Sequence, residues 1–590
     1  MKRLHYIVLF HFMAIAALLC VACNPDDDIN VKEKENTEVI VPVIDSANVY
    51  FYQNDGIVRY VSNATVDSIV QKHDGALKLA YFNDGRVASY SCDMLDSISR
   101  VSSTGDHVLP FPDASSFIEA INNSTAPNST DKTEPSAPTD EDADDYSDYI
   151  ENFLPKNTIV FTWSDNTVEV SGSVKGVTVT KNNGHVTVQS TKGKMEYRLQ
   201  GSTTDGSFKI ADMNNTSTDD NNKKFVLVLN GVEITNPNGP AINIQSGKTV
   251  LVNMPKDKIN SLKDGTTYTQ SGTESQKGTF FSEGQLIFSG AGTLNVTSLG
   301  GHGICSDDYI RLRYNVGEIN VTSAKDGFNT KDRFLMYGGT VKLNASSDGV
   351  SVRRGPFELY GGSLDITCID DGIVSDYAQT DTAFVRIGGG NLKIATTGAK
   401  GHAVTTTGKL FVENGNVTAY AQGAASKCFT AGGGIFIADS YVKLSTKGNP
   451  QYDEEENDWS SAACIRSKRE LSIAGSSLFL ISSGQGSKCI NADAGVNVES
   501  SALTLAAEGP DYEGSDNNVR SRAIDAKTLS LGAGTSLGIS AAVTAIYVES
   551  EFGITGGNTF AYSLSDATNA VNVKGSMTQT GGLFMTGLSK

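Results

Sequence analysis

The sequence is poor in several residue types, and each scarcity narrows the classes of protein to consider. Its 590 residues include 2 tryptophans, 14 prolines and 8 cysteines, and its 48 basic side chains are outnumbered by 67 acidic ones. The resulting net charge of −19 argues against nucleic acid and anionic membrane surfaces as direct partners. The 59 glycines, set against so few prolines, favour many short strands and tight turns over helices.

The cysteines form no zinc-type pattern. Six of them follow residue 23: Cys92, Cys305, Cys368, Cys428, Cys464 and Cys489. They contain no CxxC pair and no ligand spacing with histidine, which argues against a zinc site. Cys428, Cys464 and Cys489 share one register, and stacked strands lie about 4.8 Å apart. A disulfide would fit that spacing, but buried free thiols are the favoured interpretation.

Residues 1–23 have the pattern of a targeting segment. Lys2-Arg3 precedes an apolar run, and Cys20-Val21-Ala22-Cys23 resembles the lipobox of bacterial lipoproteins, with Cys23 as the acylated residue. The acidic stretch Asn24–Asp28 resembles the export signal of surface-exposed Bacteroidetes lipoproteins. The resemblance implies a lipid-anchored outer-membrane protein that faces outward, with residues 24–46 as a spacer.

Two further segments precede the repetitive part of the chain. Residues 47–115 contain Asn54-Asp55-Gly56 and Asn83-Asp84-Gly85 between alternating apolar runs, a pattern that predicts a small β-hairpin module. Residues 116–157 are rich in Ser, Thr, Pro and Asp and carry few large apolar side chains. This composition predicts a disordered acidic linker rather than a calcium loop.

Residues 158–590 are dominated by a repeated phrase of β-type residues. It reads Gly-Thr-Leu-Asn-Val at 292–296 and returns at Gly317, Gly339 and Gly362, in steps of 25, 22 and 23 residues. Within one repeat, short apolar segments lie at 341–343, 350–352 and 357–359. Three strands in each unit of 22–25 residues predict an all-β fold, a right-handed parallel β-helix that spans 158–590.

A second repeated phrase places acidic residues in one register. It reads Asp326-Gly327, Asp348-Gly349 and Asp371-Gly372, and His302-Gly303 stands at the same place one repeat earlier. On stacked coils the three carboxylates would lie about 4.8 Å apart. Their mutual repulsion would be relieved by a hard cation such as Ca²⁺, which takes oxygen ligands. The open alternative is turn chemistry, because Asp-Gly is a preferred turn dipeptide.

The candidate site residues follow from this register. We assign Asp307, Asp308, Asp326, Asp348, Asp370 and Asp371 as candidate calcium ligands, and Lys325, Lys331, Arg353 and Arg354 as candidate ligand-binding cations. Arginine would pair with the carboxylates of an acidic sugar chain, whereas the alternative role of these cations is solubility. The candidates for stacking on sugar rings are Tyr309, Tyr314, Tyr337, Tyr360 and Tyr377. Tyr337 and Tyr360 recur before Gly-Gly, and a structural ladder is the preferred interpretation of this pair.

Several of these phrases together resemble a bacterial carbohydrate-binding family of parallel β-helix proteins. The resemblance rests on residues 227–234 (LVLNGVEI), 239–242 (GPAI), 286–296 (LIFSGAGTLNV), 346–350 (SSDGV) and 369–373 (IDDGI). It implies a pectate-lyase-like fold and a surface protein that binds polysaccharide, including acidic pectic chains. At Cys305-Ser306 and Arg353-Arg354 the sequence differs from the residues that are usual in the family.

Three functions remain open at this stage. The first is a non-catalytic cell-surface polysaccharide-binding protein that recognises acidic, pectin-like or other plant or host glycans with calcium support. The second is a calcium-dependent, pectate-like lyase, which would need a base with a lowered pKa. The third is a structural or adhesive surface protein without a glycan ligand. Fold alone licenses no activity.

Overall fold

The computed structural model describes residues 47–588, except for 73–75, 102–103, 138–147, 212–222, 270–271, 377–381, 455–456, 515–517 and 567–569. The predicted targeting segment with Cys23, the spacer 24–46 and Tyr377 therefore lie outside the described residues. Within the described ranges, the longest helices are too short and too polar to cross a bilayer.

The chain is all-β and divides into two compact units. Unit 2 comprises residues 124–496 and 508–521, and unit 1 comprises the chain up to residue 123 together with 497–507 and 522–590. Most strands belong to one large sheet whose neighbours run parallel. The predicted all-β class with parallel strands is confirmed.

Unit 2 is built from three ladders of parallel strands, because from Ile242–Ile244 to Tyr441–Thr446 nearly every strand pairs with the third strand after it, and the insertion at 448–460 lengthens this step once. Ladder A comprises Gly184–Ser190, Gly206–Ile210, Ile242–Ile244, Gly278–Ser282, His302–Ser306, Phe328–Thr330, Val350–Val352, Ile373–Ser375, Val404–Thr406, Lys427–Ala431, Ala463–Ser467 and Lys488–Glu499. Ladder B comprises Thr249–Asn253, Leu286–Ser289, Tyr309–Leu312, Arg333–Met336, Phe357–Leu359, Phe384–Ile387, Lys409–Glu413, Ile435–Ala438 and Leu471–Ala474.

Ladder C carries the Gly-x-Leu-x-Val phrase. It comprises Ile259–Asp264, Thr293–Ser298, Glu318–Ser323, Thr340–Ala345, Ser363–Cys368, Asn391–Thr396, Asn416–Ala421, Tyr441–Thr446 and Ser477–Ser482. Ladders B and C both start from Lys224–Asn236, which pairs in parallel with Met195–Thr203, itself paired with Asn157–Ser164. At this end of unit 2, Thr167–Ser171 pairs antiparallel with Asn157–Ser164, and Val177–Asn182 pairs antiparallel with Gly184–Ser190.

Columns of identical register explain why the repeat folds in this way. In ladder C, Leu294, Ile319, Val341, Leu364 and Leu392 pair in succession, and each side chain is buried. Burying one such side chain is worth roughly 1.5–3 kcal/mol. A one-residue slip would turn the whole column toward solvent, so the alternation of apolar and polar residues fixes the register.

The segment predicted as a disordered linker differs from that prediction in its described part. Residues 114–123 form a helix, Ala114–Asn123. Residues 124–137 and 148–154, which we call the strap, lie against unit 2. The Lys132 N–H donates to the Tyr360 carbonyl (2.8 Å), and Asn416 Nδ2 donates to the Pro127 carbonyl (2.7 Å).

Two buried arginines of ladder B and its following turn hold the strap. Arg311 pairs with Glu134 (2.7 Å) and with Asp148 (2.9 Å), and Arg313 pairs with Glu134 (3.3 Å) and Glu151. The side chains of Arg311, Arg313, Glu134 and Asp148 are at most 6% exposed. The acidic side chains Glu134 and Asp148 of this segment are therefore neutralised by Arg311, which lies more than 160 residues away in the sequence.

Unit 1 brings together the two ends of the described chain. Its first part contains Asn48–Gln53, Val58–Ser62, Val66–Gln71, Leu77–Phe82, Val87–Ser91, Leu95–Ser99, Val108–Pro110 and the helix Ala114–Asn123. Its second part contains Ala502–Ala507, Arg522–Leu531, Ser536–Ala541, Thr544–Ser563, Val571–Val573 and Ser576–Leu588. The strands Val87–Ser91 and Ser576–Leu588 pair antiparallel.

The two Asn-Asp-Gly hairpins are confirmed, but their module has no core of its own. Antiparallel strands flank both turns, and Gly56 and Gly85 both have a φ of 86°, a conformation that glycine adopts readily. The core contains Phe51, Phe82, Tyr90 and Phe111, and Phe560, Tyr562, Leu583 and Met585 belong to the same cluster. The structure thus differs from a separate module over 47–115.

Candidate functional site

The Asp-Gly phrase forms one continuous column at the start of the ladder A strands. The backbone N–H of each residue in the column donates to the side chain of the preceding one: Asp326 to His302 Nδ1 (3.2 Å), Asp348 to Asp326 Oδ1 (3.3 Å) and Asp371 to Asp348 Oδ1 (3.1 Å). The series continues from His402 to Asp371 Oδ1 (2.7 Å) and from Lys427 to His402 Nδ1 (3.1 Å). We call these six residues the polar column.

His402 and Lys427 escape the sequence pattern because Ala403 and Cys428 replace glycine after them. They are identified by their position in the fold. His402 lies 31 residues after Asp371, Lys427 lies 25 residues after His402, and each stands at the start of the next ladder A strand. The same position continues into the thiol stack, since Cys428, Cys464 and Cys489 occupy the glycine register. All three thiols are buried, and none of them forms a disulfide within the described part of the chain.

The glycines after the column are required by packing and not by a left-handed turn. None of Gly327, Gly349 and Gly372 has a φ in the left-handed region. A Cβ on Gly349 would lie 2.3 Å from Ile366 Cγ2 and 2.5 Å from the carbonyl oxygen of Gly372. The neighbouring coil leaves no room for a side chain, so an Asp-Gly β-turn does not account for the phrase.

Replacing Gly349 with alanine should therefore destabilise unit 2. We expect a loss of about 1–3 kcal/mol in the free energy of unfolding, because the added methyl group meets backbone that cannot yield. Denaturant unfolding followed by circular dichroism measures it. Gly247→Ala is the matched control, since a Cβ there has no atom within 4 Å, and it should change stability by less than about 0.5 kcal/mol. Equal behaviour of both variants would contradict the packing argument.

Three of the six predicted calcium ligands lie together. Carboxylate oxygens of Asp348, Asp370 and Asp371 lie within 4.8 Å of one another. Among the described residues, the column hydrogen bonds of Asp348 and Asp371 run to Oδ1. A set of carboxylate oxygens suits Ca²⁺, which prefers hard oxygen ligands.

The carboxylates of Asp348, Asp370 and Asp371 repel one another when ionised, so either protonation or a bound cation would stabilise this cluster. Burial, followed by the charges of Asp326 and Asp371, raises the pKa of Asp348 to about 8. Burial also raises the pKa of Asp371 to about 7, with the His402 backbone N–H acting in the opposite direction. The pKa of His402 falls to about 3 because of burial and the charges of Lys427 and Lys400. His402 is thus neutral, as its accepting Nδ1 requires.

Asp326 has its own partners. Asn329 Nδ2 donates to Asp326 Oδ2 (2.8 Å), and His302 Nδ1 lies 3.2 Å from the same oxygen. Burial acts to raise the pKa of Asp326, but its polar contacts with His302, Asn329 and Ser347 outweigh burial and lower the pKa. The carboxylate therefore stays ionised beside Asp348, which is one cause of the raised pKa there.

The other end of the ladder A strands carries four of the predicted site residues: Asp307, Asp308, Arg353 and Arg354. Asp307 pairs with Lys277 and with Arg353 (3.3 Å), while Gln285 Nε2 donates to Asp308 Oδ2 (2.6 Å). Arg354 pairs with Asp332 (2.8 Å). The structure does not bring Asp307 and Asp308 into the Asp348 cluster, because a strand such as Val350–Val352 separates the two groups.

The two predicted lysines divide between these ends. Lys325 immediately precedes Asp326 in the polar column, and its backbone N–H donates to the Gly301 carbonyl (3.0 Å). Lys331 lies beside Asp332 after the strand Phe328–Thr330, and its backbone N–H donates to the Asp308 carbonyl (3.1 Å). Of the four predicted cations, Lys325 alone flanks the column.

The tyrosine pair is occupied by protein groups. Tyr337 and Tyr360 stack with ring centroids 5.2 Å apart. Lys132 Nζ lies 5.1 Å from the centre of the Tyr360 ring, and Arg311 lies 5.8 Å from that of Tyr337. The Tyr360 hydroxyl donates to Glu358 (2.8 Å). These contacts give the pair a structural role beneath the strap, in agreement with the preferred interpretation.

Comparison with known proteins places the chain in a family. The stacked parallel strands and the polar column define a repetitive all-β protein with an oxygen-rich face, and a family model of carbohydrate-binding domain-containing proteins matches residues 182–407 and 357–487. The chain belongs to this family of carbohydrate-binding domain-containing proteins. No curated protein matches the sequence.

One solved structure is similar to part of the chain. It is the polysaccharide lyase-like protein from C. thermocellum, determined as a gadolinium derivative. The alignment has 24% sequence identity and a TM-score of 0.36, and it covers 43% of this chain and 96% of that chain.

Proposed function

We propose that the protein binds polysaccharide at the cell surface without cleaving it, through a calcium-supported acidic face on the polar column. The observation that carries the proposal is the convergence of Asp348, Asp370 and Asp371 within 4.8 Å. Membership of the carbohydrate-binding family supports a glycan as the ligand. In this proposal the three ladders form a right-handed parallel β-helix, and Cys23 carries the lipid that anchors it to the outer membrane.

Calcium gives an acidic protein a means of binding an acidic glycan. Asp348, Asp370 and Asp371 would hold the ion by their carboxylate oxygens, and the ion would bridge to the carboxylate of a uronate ring. Lys325 flanks the column and Lys427 is its last residue, and both would pair with further sugar carboxylates. We therefore propose pectin-like chains as the preferred ligand class, ahead of neutral plant or host glycans.

A panel of immobilised polysaccharides, probed with and without Ca²⁺, tests this function. We expect binding to polygalacturonate in Ca²⁺ that falls at least tenfold when a chelator is added, because the bridging ion is lost. Neutral glucans serve as the control glycans. If the protein bound only the neutral glucans, with or without calcium, the proposal of an acidic glycan ligand would be contradicted. An absence of binding to every glycan would favour a structural or adhesive surface protein.

The alternative of a calcium-dependent lyase uses the same face. Its base would be a lysine beside the cluster, and Lys427 is near enough for its charge to act on Asp371. However, Lys427 Nζ donates to the Ala425 carbonyl (3.0 Å) and to Ser460 Oγ (2.9 Å). Both contacts engage the Lys427 amino group with protein acceptors, whereas a base must reach the proton that it removes from the substrate. Growth of unsaturated-product absorbance from polygalacturonate and Ca²⁺, abolished in Lys427→Met, would establish the lyase.

A further inference from the structure

Two insertions in the repeat form hairpins in unit 2. The first pairs Gln451–Asp453 with Asp458–Ser460, and the second pairs Tyr512–Glu513 with Asn518–Val519. The first lies between the ladder C strand Tyr441–Thr446 and the ladder A strand Ala463–Ser467. The turns that carry the polar column also connect ladder C to ladder A, so this hairpin extends from the same corner of the coils.

The hairpins bring three aromatic rings together. The Trp459 ring lies 5.7 Å from Tyr452, with an angle of 68° between the ring planes, and 5.1 Å from Tyr512, at 49°. Tyr452 is 41% exposed, and the other two rings are partly exposed. We call these three residues the aromatic cluster. The ladder columns bury their large apolar side chains, whereas this cluster presents them near solvent.

Direct contacts connect the aromatic cluster to the polar column. Lys400 pairs with Asp453 (2.9 Å), which follows Tyr452 in the first hairpin. Lys427 is the last residue of the polar column, and its Nζ donates to Ser460 Oγ (2.9 Å), next to Trp459. Lys427 lies two coils beyond Asp371, roughly 10 Å at the spacing of parallel strands. The acidic cluster and the rings therefore form one surface along a single corner.

We propose that the aromatic cluster is a second subsite for the same glycan chain, in which a pyranose ring stacks on Trp459. A sugar ring has an apolar face of C–H groups and a rim of hydroxyls, so it suits a partly exposed indole beside polar groups. Asp453, paired with Lys400, follows Tyr452, and Ser460 follows Trp459, so donors and acceptors for the hydroxyls stand next to the rings in the chain. This inference rests on the proposed function, because it assigns a second contact to the glycan held at the polar column.

The alternative role of the cluster is to hold the hairpins together. Each hairpin also has polar contacts of its own: the Tyr452 hydroxyl donates to Asn457 Oδ1 (2.6 Å), and Arg520 pairs with Asp511 (2.6 Å). A purely structural cluster predicts loss of stability without loss of affinity when Trp459 is replaced. The glycan subsite predicts the reverse, since Trp459→Leu keeps an apolar side chain between the hairpins.

Tryptophan fluorescence provides a readout from the unmodified protein. The chain has only two tryptophans, and Trp163 is 2% exposed, with its Nε1 donating to the Gly184 carbonyl (2.7 Å). A change of emission on adding polygalacturonate in Ca²⁺ therefore reports on Trp459. We expect a saturable change, and Trp459→Leu should bind roughly three- to tenfold more weakly. Tyr314→Leu is the matched control, because Tyr314 is 59% exposed and lies outside the cluster, and it should bind like wild type.

The outcomes separate this inference from the proposed function. If wild-type protein retains polygalacturonate but its emission is constant and Trp459→Leu binds equally well, the subsite is overturned and the proposed function stands. If wild-type protein retains no glycan, both are overturned. Should Trp459→Leu fail to fold, the fluorescence titration of wild-type protein decides alone: a saturable change supports the subsite and constant emission overturns it.

Discussion

Replacing Arg311 with alanine is expected to release the strap and to lower the free energy of unfolding of unit 2 by about 3–5 kcal/mol. Arg311 is the shared partner of Glu134 and Asp148, and their side chains are 2% and 6% exposed. Removing the guanidinium leaves two carboxylates buried with one positive neighbour fewer. Isolated buried charge is costly because the interior cannot replace water. The strap would relieve this cost by moving into solvent.

Limited proteolysis and denaturant unfolding measure the two parts of this expectation. In Arg311→Ala, cleavage should appear between residues 124 and 154 before other sites are cut. Arg354→Ala is the control, because Arg354 and Asp332 are each 42% exposed, and an exposed pair contributes no more than about 1 kcal/mol. Equal stability of the two variants would show that the strap is held by other contacts.

Calcium should stabilise the protein at pH 8 and have little effect at pH 5, and Asp348→Asn or Asp371→Asn should remove that response. The metal-free protein holds the pKa of Asp348 at about 8 and that of Asp371 at about 7, against about 3.9 in an unfolded chain. The folded state therefore binds protons more tightly than the unfolded state. Stability of the metal-free protein is expected to fall as pH rises from about 4 to about 8.

Calcium reverses this trend because it binds the ionised carboxylates. At a hundredfold excess over its dissociation constant, a ligand of the folded state adds about 2.7 kcal/mol. Thermal unfolding with Ca²⁺ and with a chelator, at both pH values, measures the effect. Asparagine keeps the Oδ1 that accepts the column hydrogen bond, so the variants should still fold. Asp365→Asn is the control for lost charge, because Asp365 faces Lys393 on ladder C. A calcium response that persists in Asp348→Asn would contradict this site.

The repeat period was sufficient to predict the ladders, and the Asp-Gly register was sufficient to predict the column. Both depend on residues 22 to 25 positions apart, a separation that a stacked fold turns into contact. The pairing of Arg353 with Asp307 could not be predicted from the sequence, since the two residues are 46 positions apart and follow different ladder A strands. The steric role of the glycines could not be predicted either, because the side chain that crowds Gly349 belongs to Ile366, on the ladder C strand Ser363–Cys368.

The acidic segment shows a second limit of composition. Few large apolar residues predict disorder when a segment is considered alone. Glu134 and Asp148 are instead ordered by Arg311, and the sequence contains no sign that these residues meet. The aromatic cluster was hidden for a similar reason, because Trp459 and Tyr512 belong to separate insertions. The repeat period predicts which strands stack, but it does not predict polar or aromatic pairs between residues that are far apart in the sequence.

The antiparallel pairing of Val87–Ser91 with Ser576–Leu588 bears on how the protein is made. During synthesis the hairpins of residues 48–91 emerge long before Leu583 and Met585, which belong to the same core. Loop closure over nearly 500 residues is slow, and unpaired strands are prone to aggregate while they wait. Unit 1 therefore closes only after residues 576–588 have been synthesised, and a chain truncated before them would expose the edge that Ser576–Leu588 normally covers.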